Sequence, residues 1–206
     1  MKKIDLDTWP RKSLYEFFSN VSNPFYSATF TVDVTRVYDY TKSRGLSFYC
    51  ALTYLVSKAV NRVPALLYTI RDGEIYLLDE RIPSITDRNP GEEFFHITNL
   101  PCGESLDEFC VALAEKSRRQ TDFILMEEES ADLIYISCLP WIELTGFINE
   151  RDFDRDDTIP RITWGKYKDE NGRKTLGMAL ELNHRFADGS DIGAFATELE
   201  KHINEL

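Results

Sequence analysis

One histidine near the C-terminus has a spacing suited to acid–base chemistry. His184 lies four residues before the pair Asp188-Gly189, and the chain holds only three histidines. Before it, apolar residues alternate over 176–182, which is typical of a strand buried on one face. After it, apolar residues recur at helical spacing over 192–203. His184 therefore lies on a predicted strand-to-helix connection.

An imidazole on such a connection can act as a general base. Histidine titrates near neutral pH, so it can take a proton from a hydroxyl and return it within one turnover. The same spacing also fits a structural histidine followed by an ordinary Asp-Gly turn. Spacing alone leaves both interpretations open.

Three further segments place polar side chains where chemistry is possible. Ser137 lies inside the strongly apolar run 133–139, which ends at Pro140-Trp141. An unpaired buried hydroxyl costs about 1–3 kcal/mol, so Ser137 either bonds to backbone or faces a cavity that a ligand completes. The other two segments contain Trp9-Pro10-Arg11, before the first helix, and Thr163, in a later strand.

The elements that position these residues mix hairpins with amphipathic helices. Ser47 predicts the N-cap of a helix that ends before Pro64, and Ser190 or Asp191 suits the N-cap of the last helix. Asp72-Gly73 predicts a hairpin turn. Predicted helices cover residues 12–18, 48–63, 106–113 and 192–203, and predicted strands cover 27–34, 66–71, 74–78, 133–139, 161–167 and 174–182. This order favours an α+β fold, a two-layer sandwich of helices on a mostly antiparallel mixed sheet, with residues 1–206 as a single domain.

Composition excludes some classes of partner. The net charge of -11 argues against nucleic acid binding, because a binder needs a basic surface to neutralise phosphates. The N-terminus lacks the long apolar segment of a signal peptide, and no apolar run approaches the length of a membrane span. We therefore expect a cytoplasmic protein that binds neither nucleic acid nor membrane.

The four cysteines form no Cys-x-x-Cys pair, and with three histidines they show no metal-ligand spacing. Reduced thiols and no metal are expected. A Cys-His nucleophile pair stays open, although Cys138 lies in an apolar strand where a core role is favoured.

Taken together, four motifs resemble the chloramphenicol acetyltransferases in the same order along the chain. They are Trp-x-Arg at Trp9 and Arg11, Ile-Ser-x-Leu-Pro-Trp at 136–141, Ile-Thr-x-x-Lys-Tyr at 162–167, and His-x-x-x-Asp-Gly at 184–189. The resemblance implies acetyl transfer from acetyl-CoA, as co-substrate, to a hydroxyl of chloramphenicol in a ternary complex.

The resemblance also implies roles for individual residues. His184 would be the general base, Ser137 would donate to the tetrahedral oxyanion, and Thr163 would hold a water nearby. Asp188, followed by Gly189, would pair with Arg11 and fix the loop.

Other residues match family positions at the two ends of the site. Positions near the CoA channel are matched by Trp141, Lys166 and Tyr167. The aromatic region of the antibiotic site is matched by Phe25 and Tyr26, although an ordinary role as core aromatics fits these two residues equally well. The family is homotrimeric, with each site at a subunit interface and the histidine supplied across it from the serine. An isolated monomer would then be inactive.

The match departs from the family at three positions. Asn183 replaces the first of two usual histidines, and Ser190-Asp191 replaces the usual aromatic-His pair. The motif from Asn183 to Gly189 also resembles that of dihydrolipoyl acyltransferase cores, but the chain has no lipoyl domain or Ala/Pro-rich linker. Two alternatives remain: a different small hydroxyl acceptor, or a catalytically silent binding or assembly relative.

Overall fold

The chain folds into helices packed on a mixed sheet, as a computed structural model that describes residues 1–152 and 154–206 shows. The α-helices are α1 (Lys12–Ser19), α2 (Thr35–Arg44), α3 (Phe48–Val60), α4 (Leu106–Arg119) and α5 (Gly189–Asn204). The strands are β1 (Lys2–Lys3), β2 (Phe25–Asp33), β3 (Tyr68–Arg71), β4 (Glu74–Leu77), β5 (Ile82–Asp87), β6 (His96–Asn99), β7 (Leu133–Leu139), β8 (Arg161–Gly165), β9 (Lys168–Glu170) and β10 (Arg173–Asn183). The predicted α+β class is confirmed.

The main sheet has seven strands in the order β2-β10-β8-β7-β5-β6, with β9 paired to β10 beside this path. Strand β7 runs parallel to both β5 and β8, and the remaining pairs are antiparallel. A smaller sheet pairs β1, β4 and β3. The predicted mostly antiparallel mixed sheet is therefore confirmed.

One face of the main sheet carries the hydrophobic core. Ile85, Ile136, Ile162 and Leu180 are register partners across four neighbouring strands, and all four belong to the core cluster that includes α3. Because side chains alternate along a strand, the next residue on each strand points to the opposite side. We call that side the open face.

The part of the chain that connects β7 to β8 crosses the open face of the sheet. This crossing segment comprises residues 142–152 and 154–157. Its backbone passes so close to two neighbouring glycines that a Cβ built on Gly177 would lie 1.9 Å from the Leu144 carbonyl oxygen, and one on Gly165 2.6 Å from the Leu144 nitrogen. A side chain at either position would push the crossing segment off the sheet.

Several local predictions are confirmed and others are wrong. The Ser47 hydroxyl caps α3 by accepting from the Cys50 amide, and Asp72-Gly73 forms the predicted turn with positive φ at both residues. However, α3 ends at Val60, since Pro64 opens a short 3₁₀ turn. Helix α2 and strands β5 and β6 were not predicted. Helix α2 buries only Val37 and Thr41, so its apolar stripe is too short to detect.

Candidate active site

The imidazole of His184 is held in one orientation just after the end of β10. Its Nδ1 lies 2.9 Å from the Ala187 carbonyl oxygen, and its backbone amide donates to the Pro24 carbonyl at 2.7 Å. A carbonyl oxygen only accepts, so Nδ1 must carry the proton. The neutral ring therefore keeps the lone pair on Nε2, which is the arrangement that a general base requires.

Two aromatic rings contact this imidazole. Phe18 of α1 stacks on it with centroids 3.9 Å apart and planes 17° apart, and Tyr26 lies 4.4 Å away at 32°. The Tyr26 hydroxyl is buried and has no hydrogen-bond partner among the described residues. Burial, with the nearby charges of Asp188 and Asp191, raises the pKa of Tyr26, so the phenol stays neutral. Phe25 instead packs under the guanidinium of Arg151, 3.7 Å from its ring centroid.

The loop after His184 ends in a capping box. Asp188 is the N-cap of α5, where its carboxylate accepts from the Ser190 amide at 2.7 Å and the Ser190 hydroxyl at 2.6 Å. The Asp191 carboxylate reaches back to the Asp188 amide at 2.8 Å. The predicted N-cap at Ser190 or Asp191 is therefore wrong. An N-cap side chain must precede the first free amides of the helix, and only Asp188 does so.

Arg11 reaches this loop from the start of α1. Its guanidinium donates to Asp191 at 2.7 Å and to the Phe186 carbonyl at 2.9 Å, while the nearest oxygen of Asp188 is 3.9 Å away. Hydrogen bonds from Ser190, assisted by Arg11, hold the pKa of Asp188 below its usual value. The arginine thus contacts both carboxylates, and its shorter contact is with Asp191, a residue to which sequence reasoning gave no pairing role.

Ser137 and Thr163 lie side by side on the open face. They are register partners on β7 and β8, and Thr163 is 1% exposed whereas Ser137 is half-buried. The Ser137 hydroxyl lies 3.0 Å from that of Thr86 on β5, and the Thr163 hydroxyl donates to the Asn149 side-chain oxygen at 3.3 Å. Both Thr86 and Asn149 were missed from the sequence.

Within one chain, the structure does not bring His184 and Ser137 together. Ser137 pairs with Thr163, which pairs with Ala179 of β10, and His184 follows Ala179 by five residues. At about 3.3 Å per residue along a strand and about 4.8 Å between strands, their backbones are about 19 Å apart. One catalytic centre cannot be formed by these two residues of the same chain.

Asn183 points away from His184 and binds the crossing segment. Its amide donates to the carbonyls of Arg155 at 2.8 Å and Asp157 at 3.0 Å, and its oxygen accepts from the Arg185 amide. Further along the same face of β10, buried Glu181 pairs with Arg151 at 3.2 Å. Asn183 therefore ties the end of β10 to the chain that crosses the sheet.

The three residues matched to the CoA channel lie at the other end of β7 and β8. Trp141 is 70% exposed, with the Arg88 guanidinium 6.0 Å from its ring centroid. Tyr167 packs on two aromatic rings, those of Tyr38 and Phe48. Lys166 lines an open pocket of about 390 Å³, together with Lys168, Thr29 and Thr31.

Burial disfavours Cys138 as a nucleophile. Burial raises the pKa of the Cys138 thiol to about 12, so it stays protonated at neutral pH. The thiolate is the reactive form, and Cys138 therefore fits the core role favoured by its strand.

Comparisons with known proteins place the chain in a family. The family model described as chloramphenicol acetyltransferase matches residues 1–200. The chain belongs to the chloramphenicol acetyltransferase family. Its members are acyltransferases, and so is this protein. A chloramphenicol acetyltransferase from Clostridium perfringens is 30% identical over 207 residues, covering 98% of each chain.

Solved structures show the same fold. A chloramphenicol acetyltransferase structure superposes with a TM-score of 0.89 at 24% identity, covering 98% of this chain and 99% of the other. The dihydrolipoamide acetyltransferase of Azotobacter vinelandii has a TM-score of 0.67 at 15% identity, covering 93% of this chain and 85% of that one. At these identities, the likeness to the two solved structures is a likeness of fold. Among the helices that the structure describes, none has the length and apolarity needed to cross a membrane.

Proposed function

We propose that this protein moves the acetyl group of acetyl-CoA to a hydroxyl of chloramphenicol, with His184 as the general base. The observation that supports this best is the contact between His184 Nδ1 and the Ala187 carbonyl. In the neutral ring this contact places the lone pair on Nε2, and the chain is a member of an acetyltransferase family.

The reaction is a direct transfer within a ternary complex. Nε2 of His184 takes the proton of the acceptor hydroxyl as its oxygen attacks the thioester carbonyl carbon. The C–O bond forms and a tetrahedral oxyanion results. The C–S bond then breaks, and the departing thiolate receives the proton from the imidazolium, so that CoA leaves as a thiol and His184 is again neutral.

Ser137 donates a hydrogen bond to the oxyanion, and Thr163 holds a water beside it. Removing one such donor costs roughly 3–4 kcal/mol of transition-state stabilisation in other enzymes. The half-buried position of Ser137 supports this role, because its hydroxyl is reachable but poorly solvated. Arg11, Asp188 and Gly189 act indirectly by fixing the loop that carries His184.

The active site is formed between two subunits of a homotrimer. The separation of about 19 Å between His184 and Ser137 supports this, since only a second copy can bring the pair together. The histidine of one subunit would then face the serine of its neighbour across each of three equivalent interfaces.

Trp141, Lys166 and Tyr167 contribute to binding of CoA. The pocket that Lys166 lines supports this, since a lysine there offsets the acidic background of the chain where phosphates would bind. Lys168, which lines the same pocket, pairs with Glu143 at 2.8 Å, so Lys166 is the less neutralised of the two.

A different hydroxyl acceptor is the second candidate. Asn149 places an amide next to Thr163, and its oxygen already accepts from that hydroxyl. Its NH₂ group remains a donor beside the proposed acceptor site, where it favours an acceptor with a polar group. Phe25 and Tyr26 would line the acceptor pocket from the histidine side, contributed by the other subunit of the interface.

The experiment is thiol release from acetyl-CoA by purified protein, with and without chloramphenicol. We expect chloramphenicol-dependent release, and a loss of at least about 100-fold in His184→Ala, as is typical of a lost general base. The matched control is His202→Ala, on α5 and outside the site, which should keep wild-type turnover.

The outcomes separate the candidates. Release with another alcohol but none with chloramphenicol supports the second candidate. No release with any acceptor, while CoA still binds, indicates a silent relative. Wild-type turnover in His184→Ala contradicts the proposed mechanism.

A further inference from the structure

A threonine hydroxyl lies against Ser137 where two parallel strands stop pairing. The backbone pairing of β5 with β7 ends at Ile85 and Ile136. The next residue is Thr86 on β5 and Ser137 on β7, and the alternation of side chains along a strand places both on the open face. Their hydroxyl oxygens are 3.0 Å apart. A hydrogen bond between the side chains of Thr86 and Ser137 thus joins the two strands just beyond their last backbone pair.

The surroundings limit what these two hydroxyls can do. Among the described residues, neither hydroxyl has a second hydrogen-bond partner. The Tyr49 hydroxyl donates to the nearer carbonyl, that of Thr86, at 3.0 Å, and the Ile136 carbonyl oxygen lies 3.4 Å from the same hydroxyl oxygen. Tyr49 therefore clamps both strands beside the pair, so that Thr86 and Ser137 are held in contact.

Each hydroxyl has a single proton, so only one of the two can donate within the pair. If Ser137 donates to Thr86, it has no proton left for a ligand. If Thr86 donates to Ser137, the Ser137 proton is free. An oxyanion beside Ser137 selects the second arrangement, because both O–H dipoles then point toward the negative charge and strengthen one another.

We propose that Thr86 is a positioning residue for acetyl transfer, which donates to Ser137 and thereby aims the Ser137 proton at the oxyanion. The inference rests on the proposed role of Ser137. Threonine suits the task because its β-branched side chain has restricted rotation about χ1, and the hydroxyl is therefore a fixed donor. Thr86 acts through Ser137 alone.

The test compares Thr86→Val, which keeps the β-branched shape without the hydroxyl, with Thr86→Ser, which keeps the hydroxyl. Loss of a hydrogen bond to a developing charge predicts a fall in kcat of about ten-fold for Thr86→Val, with an unchanged KM for acetyl-CoA. Thr86→Ser should stay within about three-fold of wild type, since the same donor remains. In a Ser137→Ala background, Thr86→Val should cause no further loss, because the two residues act as a unit.

A crystal structure of Thr86→Val gives a readout that does not need turnover. We expect the Ser137 hydroxyl to leave the rotamer that faces position 86. An unchanged rotamer, a wild-type kcat in Thr86→Val, or an additive loss in the Ser137→Ala background would overturn the inference. If wild type fails to acetylate any acceptor, the proposed function fails, whereas the rotamer of Ser137 still decides whether Thr86 orients it.

Discussion

Two inactive variants should restore activity to one another when they share a trimer. His184→Ala lacks the general base and Ser137→Ala lacks the oxyanion donor. If each site takes its histidine from one subunit and its serine from the next, a mixed ring contains sites in which both residues are intact. The separation of about 19 Å within a chain is the reason to expect this arrangement.

The expected recovery follows from counting interfaces. Double purification leaves only trimers that contain both chains. In a cyclic trimer of either mixed composition, one interface of three joins an intact histidine to an intact serine, so about one third of the sites combine both and the mixed trimer should show about 33% of wild-type kcat per site. Each variant alone should fall to about 1% or less, given the usual cost of losing a base or an oxyanion donor.

The assay is co-expression of the two variants with different affinity tags, double purification, and thiol release from acetyl-CoA. Purified homotrimers mixed without subunit exchange form the control and should stay at the background of the single variants. Activity of the mixed trimer at the average of the two variants would refute the shared site, because a site within one chain always retains one defect.

The remaining predictions concern stability. Gly177→Ala should lower the free energy of unfolding by about 3 kcal/mol in urea denaturation, since its Cβ would meet the Leu144 carbonyl. The control Gly193→Ala, exposed on α5 with nothing within 4 Å, should instead raise it by about 0.5–1 kcal/mol; equal effects would contradict the tight crossing. Burial, with Glu129, raises the pKa of Tyr135 to about 12, so the native state keeps a proton that the unfolded chain releases above about pH 10. Stability should therefore decline as pH rises from about 10 to 12, and Tyr135→Phe should flatten that decline; an unchanged slope would show that other groups cause it.

The sequence predicted elements whose signals are local. The alternation leading to Asn183 marked β10, and the Ser47 cap and the Asp72-Gly73 turn needed only neighbouring residues. The four motifs predicted the family, which the match over residues 1–200 confirmed. Helix α2 escaped because a short helix with two buried residues lacks a periodic stripe.

The crossing segment shows what local reasoning missed. Gly165 ends β8 and Gly177 lies inside β10, and an isolated glycine in a strand signals close approach of another backbone. That signal was present in the sequence, but it does not say which segment approaches. The identity of Leu144 as the contact depends on the register of β8 against β10 and on the path of the chain between β7 and β8.

The sequence by itself determined the family, because four motifs occur in the family's order along the chain, and through that resemblance it predicted a base, a hydroxyl donor and a supporting arginine. Only the tertiary structure decided which residues are in contact. Arg11 lies nearer to Asp191 than to Asp188. Phe18 stacks on His184, and the Thr86 hydroxyl lies against that of Ser137. Each of these contacts joins residues from different elements. Their geometry depends on sheet order and register, which arise from packing the whole chain and leave no periodic trace in any one segment.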